Sequence, residues 1–139
     1  MNSPDLYVLN SDGKLLYNHK KNERNEKTVD LINVLKALEQ FAEEFGGNIT
    51  AAQMGKSHFY QTTEKLTDIH IIVKSQKDLG EKTVQKLLSS VKNIFMNLFT
   101  QFYTLKEEEK DRKWKIFQEK VEDRFKRIIV DSEDLLTKL

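Results

Sequence analysis

Leu6-Tyr7-Val8-Leu9-Asn10-Ser11-Asp12-Gly13-Lys14-Leu15-Leu16-Tyr17 places two apolar runs on either side of a short polar stretch. Asp12-Gly13 lies between them, and glycine accepts the positive φ that tight connections between antiparallel strands require, so a hairpin is predicted. Leu6 to Leu9 shows no alternation of apolar and polar residues. A strand of that kind is covered on both faces, whereas a strand at a solvated surface alternates. The near-continuous run Ile69-His70-Ile71-Ile72-Val73 has the same character. Two such strands at the centre of one sheet require helices on both sides of it.

The remaining elements are read outward from this pair. Asn18 to Lys27 is polar and charged and reads as a solvated loop. From Thr28 onward, Leu31, Ile32, Leu35, Leu38, Ala42 and Phe45 recur at amphipathic-helix spacing, and Gly46-Gly47 supplies a stop, which predicts a helix over 28–45. Ile49 to Met54, Ser57 to Thr63 and Thr67 to Val73 read as three strands joined by short turns. After Gly80, the residues Val84, Leu87, Leu88, Val91, Ile94, Phe95, Leu98, Phe99 and Phe102 form one wide apolar stripe. A third, charged helix is predicted over about 108–139, with Trp114, Phe117, Val121, Phe125 and Ile128 on one face. Acid-before-base pairs four apart, such as Asp123 and Arg127, support it. The expected fold is therefore α/β, an α+β sandwich with element order ββαβββαα. Its five-stranded, mainly antiparallel sheet carries the 28–45 helix on one face and the later two on the other. A chain of 139 residues fits one such domain over 1–139.

Composition narrows the function. Lys and Arg number 23 against 22 Asp and Glu, so no net positive field exists to gather a phosphate backbone or an anionic membrane, and nucleic acid is not expected as a partner. The chain has no Cys, which removes thiolate nucleophiles, Cys-ligated zinc and disulfides, and fits a cytoplasmic location. No signal peptide, apolar membrane span or C-terminal prenylation site is legible, so membrane contact is expected only through a partner.

Signals for chemistry are weak. Met54-Gly55-Lys56-Ser57 matches the tail of a phosphate-binding loop, but Thr50 stands where the first Gly belongs. Ser57 also continues into a predicted strand and does not open a helix, so Gly55-Lys56-Ser57 reads as a hairpin turn. His19, His58 and His70 are scattered, without the spacing of metal ligands or of a base beside a nucleophile. His70 is expected to sit in the core or against a helix with a hydrogen-bond partner. Asp111, Glu119, Glu122 and Asp123 have basic neighbours at helical spacing and read as a solvated face. Ser11 and Ser57 have no legible base or oxyanion site. No enzyme activity, cofactor or metal is expected.

The order of elements resembles the longin domain, found at the N-terminus of certain SNARE proteins and in several trafficking complexes. The resemblance covers essentially the whole chain and is carried by the 6–17 hairpin and by the Phe45-Gly46-Gly47 exit from the first helix. The related roadblock family normally begins with a helix, which the residues before Leu6 do not supply. The resemblance implies a stand-alone longin-like protein that scaffolds or docks to a Ras-like small GTPase or a vesicle-tethering assembly. The alternative is a roadblock-like homodimer, or a heterodimer with another longin or roadblock-like subunit. Longin domains hold peptide segments in a groove beside the first helix, which implies a protein-binding surface at Val34 and Phe41 with Ile49, Ala51, Gln53 and Met54 of the neighbouring edge strand. Val34 and Phe41 fall to the side of the helix stripe and equally fit a wide core face.

Overall fold

A computed structural model describes residues 4–19, 31–40, 43–44, 48–99 and 104–137. Its strands are β1 (Asp5–Leu9), β2 (Leu15–His19), β3 (Glu43–Glu44), β4 (Thr50–Met54), β5 (Ser57–Glu64) and β6 (Ile69–Ser75). Its helices are α1 (Leu31–Gln40), α2 (Glu81–Leu98) and α3 (Glu107–Thr137). The sheet order is β2-β1-β6-β5-β4-β3 and every pairing is antiparallel. The five expected strands and three helices are present in the expected order, and β1 and β6 lie side by side in the middle.

The first hairpin is closed from both ends of its loop. The Asn10 side-chain Oδ1 accepts the N–H groups of Asp12 and Lys14, each at 2.9 Å, and the Gly13 N–H donates to the Asn10 carbonyl at 3.0 Å. Gly13 sits at φ +84, where a side chain is strained, and a Cβ there would meet Leu35 Cδ1 at 3.3 Å. Glycine thus shapes the turn and admits α1 against it.

Because side chains alternate along a strand, Leu6 and Val8 face one side of the sheet and Tyr7 and Leu9 the other. On the first side, Leu6, Val8, Tyr60, Ile69, Ile71 and Val73 meet Val84, Leu87, Leu88, Val91 and Phe95 of α2, and Phe117, Val121, Phe125 and Ile129 of α3. On the second, Tyr7, Leu9, Phe59 and Ile72 meet Val34 and Leu38 of α1. Helices on both faces explain why the central strands lack alternation.

The two later helices are tied down at their ends. Asp78 Oδ1 accepts the Tyr60 hydroxyl and the Gly80 N–H, each at 3.1 Å, and the Leu79 N–H donates to the Tyr60 oxygen at 3.3 Å, which fixes the entry to α2. Lys113 Nζ donates to the Leu98 carbonyl at 2.8 Å and so satisfies the C-terminal end of α2 from α3.

Several boundaries differ from the expectations. The first helix, expected over 28–45, ends at Gln40 among the described residues, and Glu43 and Glu44 form a short sixth strand paired with Ala51 and Thr50. The ladder bonds offered by β4 outweigh the helical preference of a Glu pair, which is small. Phe45-Gly46-Gly47 and the polar stretch from Lys20 onward lie outside the described residues, while Asn18 and His19, expected in that loop, extend β2. β4 begins at Thr50, and Thr67 and Asp68 are turn residues before β6, with Asp68 at φ 56. α2 stops at Leu98, and Phe102 lies outside the described residues. α3 runs from Glu107 to Thr137.

Candidate interaction surface

The expected protein-binding residues divide into three groups. Val34 is 2 % exposed and packs with Tyr7, Leu38, Phe59 and Ile72, so it belongs to the core beneath α1. Phe41 lies outside the described residues. On β4, register decides direction: Ala51 pairs with Tyr60 and Ala52 with Phe59. Ala51 therefore shares the α2 face with Tyr60, and Ala52 packs against the α1 core cluster. Ile49 is buried on the α2 side.

Gln53 and Met54 remain accessible at the end of β4. The Gln53 Nε2 donates to the Gly55 carbonyl at 3.2 Å, and Met54 is 38 % exposed beside the turn. The outer edge of β4 is not open along its whole length, because β3 occupies Thr50 and Ala51. What β4 offers is the stretch from Ala52 to Met54. The strand that narrows it was missed because Glu43 and Glu44 carry no strand signal. Gly46-Gly47, read as a helix stop, marks hairpin connections as well and is the one clue to a returning strand.

Gly55 has φ 62 and joins β4 to β5 in a hairpin turn, and Ser57 opens β5. The backbone after Lys56 thus runs into a strand, so the turn has no helix N-terminus to aim at a phosphate. His70 Nδ1 lies 3.0 Å from Gln61 Nε2 and 3.1 Å from Thr63 Oγ1, a partnered, half-buried histidine on the α1 side of the sheet. Glu64 is nearly fully buried. Burial alone would raise its carboxyl, but the N–H groups of Leu66 and Thr67, the Thr67 hydroxyl and the charge of Lys92 together bring it below the usual range. Asp78 is likewise lowered, first by the Gly80 N–H and then by the Tyr60 hydroxyl, with His58 adding a smaller attraction. These carboxylates close turns.

The other end of the sheet is built from aromatic rings. Tyr17 of β2 stacks on Trp114 of α3 at 5.2 Å between ring centroids and meets Phe117 edge-on at 5.0 Å. His19 Nδ1 lies 3.7 Å from the Glu122 carboxylate. The Tyr17 hydroxyl has no hydrogen-bond partner among the described residues, and burial, followed by the Glu122 charge, pushes it up to about 12. Among the described residues, no group of three or more His, Asp or Glu side chains converges as metal ligands would. No described helix is long and apolar enough to cross a membrane. The arrangement presents two sheet edges and a charged outer helix face, the equipment of a binding domain.

A comparison with curated proteins finds no match. The family model of the first longin domain of FUZ, MON1 and HPS1 matches residues 5–139, which includes every strand and helix described above. By that match and by its fold, the chain belongs to the family of first longin domains of FUZ, MON1 and HPS1.

Proposed function

We propose that this chain is a non-catalytic protein-interaction domain of a membrane-trafficking assembly, and that it engages a Ras-like small GTPase or pairs with another longin- or roadblock-type subunit. The observation that carries the reading is the longin family match over residues 5–139. The partnering of Glu64 and His70 supports it, since Glu64 accepts backbone N–H groups of its own turn and His70 meets Gln61 and Thr63 of the neighbouring strand. Binding uses the accessible end of β4 from Ala52 to Met54, with Gln53 and Met54 as its exposed side chains. The domain acts on the cytoplasmic side, and membrane contact comes through the partner.

Co-purification of the chain with a panel of Ras-like GTPases, loaded with GDP or a non-hydrolysable GTP analogue, and with longin and roadblock subunits tests this reading. A stoichiometric complex that weakens on Gln53→Lys or Met54→Asp is expected. A chain that stays uncomplexed across the whole panel would contradict it.

A further inference from the structure

Charge is unevenly spread over this chain, which is nearly neutral as a whole at +1. Along α3, basic side chains meet carboxylates one helical turn away, as in Lys110 with Glu107 at 3.7 Å and Arg127 with Asp123 at 3.4 Å. The end of the sheet where β4 turns into β5 is different. Lys56 in that turn, Lys77 after β6, and Lys82 and Lys86 on α2 are all exposed, and none of the four forms an ion pair among the described residues. Two carboxylates beside them, Asp78 and Glu81, already have donors. Asp78 accepts the Tyr60 hydroxyl and the Gly80 N–H, and Glu81 accepts the Gln85 side-chain amide at 3.3 Å.

The fold brings these lysines to the accessible end of β4. Ser57 Oγ accepts the Gln76 side-chain amide at 3.3 Å, which fastens the β4–β5 turn to the segment leading from β6 into α2. Lys56 precedes one partner of that bond and Lys77 follows the other. Lys82 stands in the first turn of α2, and Lys86 lies one turn further along the same face. Gln53 and Met54, both exposed, come just before the turn that carries Lys56. Lysines with no carboxylate of their own attract an acidic surface within about 8 Å at physiological salt. The end of β4 is also a strand edge, whose amide and carbonyl groups a polypeptide can match and a layer of lipid headgroups cannot. Glu43 and Glu44 of β3 pair with Ala51 and Thr50, so the acidic part of this edge belongs to the other end of β4.

We infer that the protein partner at the accessible end of β4 presents carboxylates around an apolar contact, with Met54 taking the apolar part and Lys56, Lys77 and Lys82 the acidic rim. The inference rests on the reading of this end of β4 as the binding surface and adds the chemistry of what binds there. A charge of either sign placed at Gln53 or Met54 falls inside the strand contact and weakens it, whereas positive charge at the rim strengthens it.

NMR titration of the full chain tests it with three probes: a synthetic peptide of alternating Val and Thr flanked by pairs of Glu, the same peptide flanked by pairs of Lys, and phosphatidylcholine vesicles containing phosphatidylserine. The acidic peptide shifts the amide resonances of Gln53 to Ser57 and of Gln76, Lys77 and Lys82, and added salt weakens it. The Lys-flanked peptide binds about tenfold more weakly or not at all. Lys56→Glu combined with Lys77→Glu removes the preference between the peptides, whereas Lys120→Glu, at an exposed position of α3, leaves it unchanged. Circular dichroism of these surface variants matches the parent. Equal effects of the two peptides, shifts confined to other residues, or an acidic peptide indifferent to the double variant would overturn the proposal. Vesicles that capture the chain through Lys56 and Lys77, with no binding of the acidic peptide, would assign the lysines to a membrane surface and overturn it as well. A GTPase or longin subunit that is lost with Met54→Asp but binds the double variant as tightly as the parent would refute the acidic rim and leave the proposed function standing. Binding of the acidic peptide at these residues, in a chain that engages none of the panel, would do the reverse.

Discussion

Replacing Phe117 by Ala perturbs the contact on which the placement of α3 depends. The Phe117 ring is fully buried and lies 5.0 Å from Tyr17, 5.1 Å from Trp114, 6.3 Å from Phe99 and 6.4 Å from Phe95. It therefore joins β2, the N-terminal third of α3 and the C-terminal end of α2 in one cluster. Truncating a buried Phe removes its transfer free energy and leaves a cavity, together about 3–5 kcal/mol. Edge-to-face aromatic pairs add about 0.5–1.5 kcal/mol each beyond area, which places this site toward the upper end. Domains of this size are stable by about 5–15 kcal/mol, so the variant loses a large share of its stability. Urea unfolding is followed by far-UV circular dichroism and by the fluorescence of Trp114, the single Trp in the chain. Both transitions shift together to lower urea, while Lys120→Ala, at an exposed position of the same helix, moves neither by more than about 0.5 kcal/mol. A loss below about 1 kcal/mol, against the cavity cost above, would refute the docking of α3 on β2. A fluorescence transition that moves while the dichroism does not would refute the single cooperative core.

Glu64→Gln removes a buried carboxylate that accepts the Leu66 and Thr67 N–H groups and the Thr67 hydroxyl. Its folded-state value is lowered from 4.5, so its contribution is present above that pH and is lost as pH falls through the folded value; the variant therefore flattens the acid limb of a stability-versus-pH curve. Tyr17 and Tyr60 are both pushed up from 10.0 to about 12, in each case chiefly by burial, so spectrophotometric titration shows these two tyrosines ionising late. The folded state then holds protons that the unfolded state releases, and stability falls as pH rises from about 10 toward 12. Gly13→Ala places a Cβ at φ +84 and 3.3 Å from Leu35 Cδ1. It destabilises by about 1–2 kcal/mol in chemical unfolding, the usual penalty for a left-handed conformation.

The centre of the fold was legible because burial on both sides leaves a mark in composition: Leu6 to Leu9 and Ile69 to Val73 are apolar at nearly every position, with His70 the exception. The two later helices were legible from stripes spaced at three and four residues, and the buried residues Phe117, Val121, Phe125 and Ile129 fall on that spacing. The end of α1 was not. Glu43 and Glu44 have no apolar periodicity of their own, and what makes them a strand is the partner ladder at Thr50 and Ala51. His19 was hidden for a related reason. Asn18-His19 looks like the start of a polar loop, and only Glu122, far along the chain, makes a buried strand position of it. Within α1 the buried face proved rotated toward Val34 and Leu38, with Leu35 half-buried against the first hairpin. Helical spacing fixes a stripe, but not which of two adjacent columns faces the sheet. A binding surface was the least legible feature, since neither an edge strand nor its cover is set by local sequence.

The most direct test of the interaction-domain reading is light scattering of the chain mixed with its co-purified GTPase or longin-type subunit, on the parent protein and on Gln53→Lys and Met54→Asp. The account predicts a defined stoichiometric complex with the parent, dissociation at least about tenfold easier with the variants, and unchanged folding of the variants by circular dichroism. A parent chain that remains uncomplexed with every member of the panel, while turning over a nucleotide or small-molecule substrate, would contradict it.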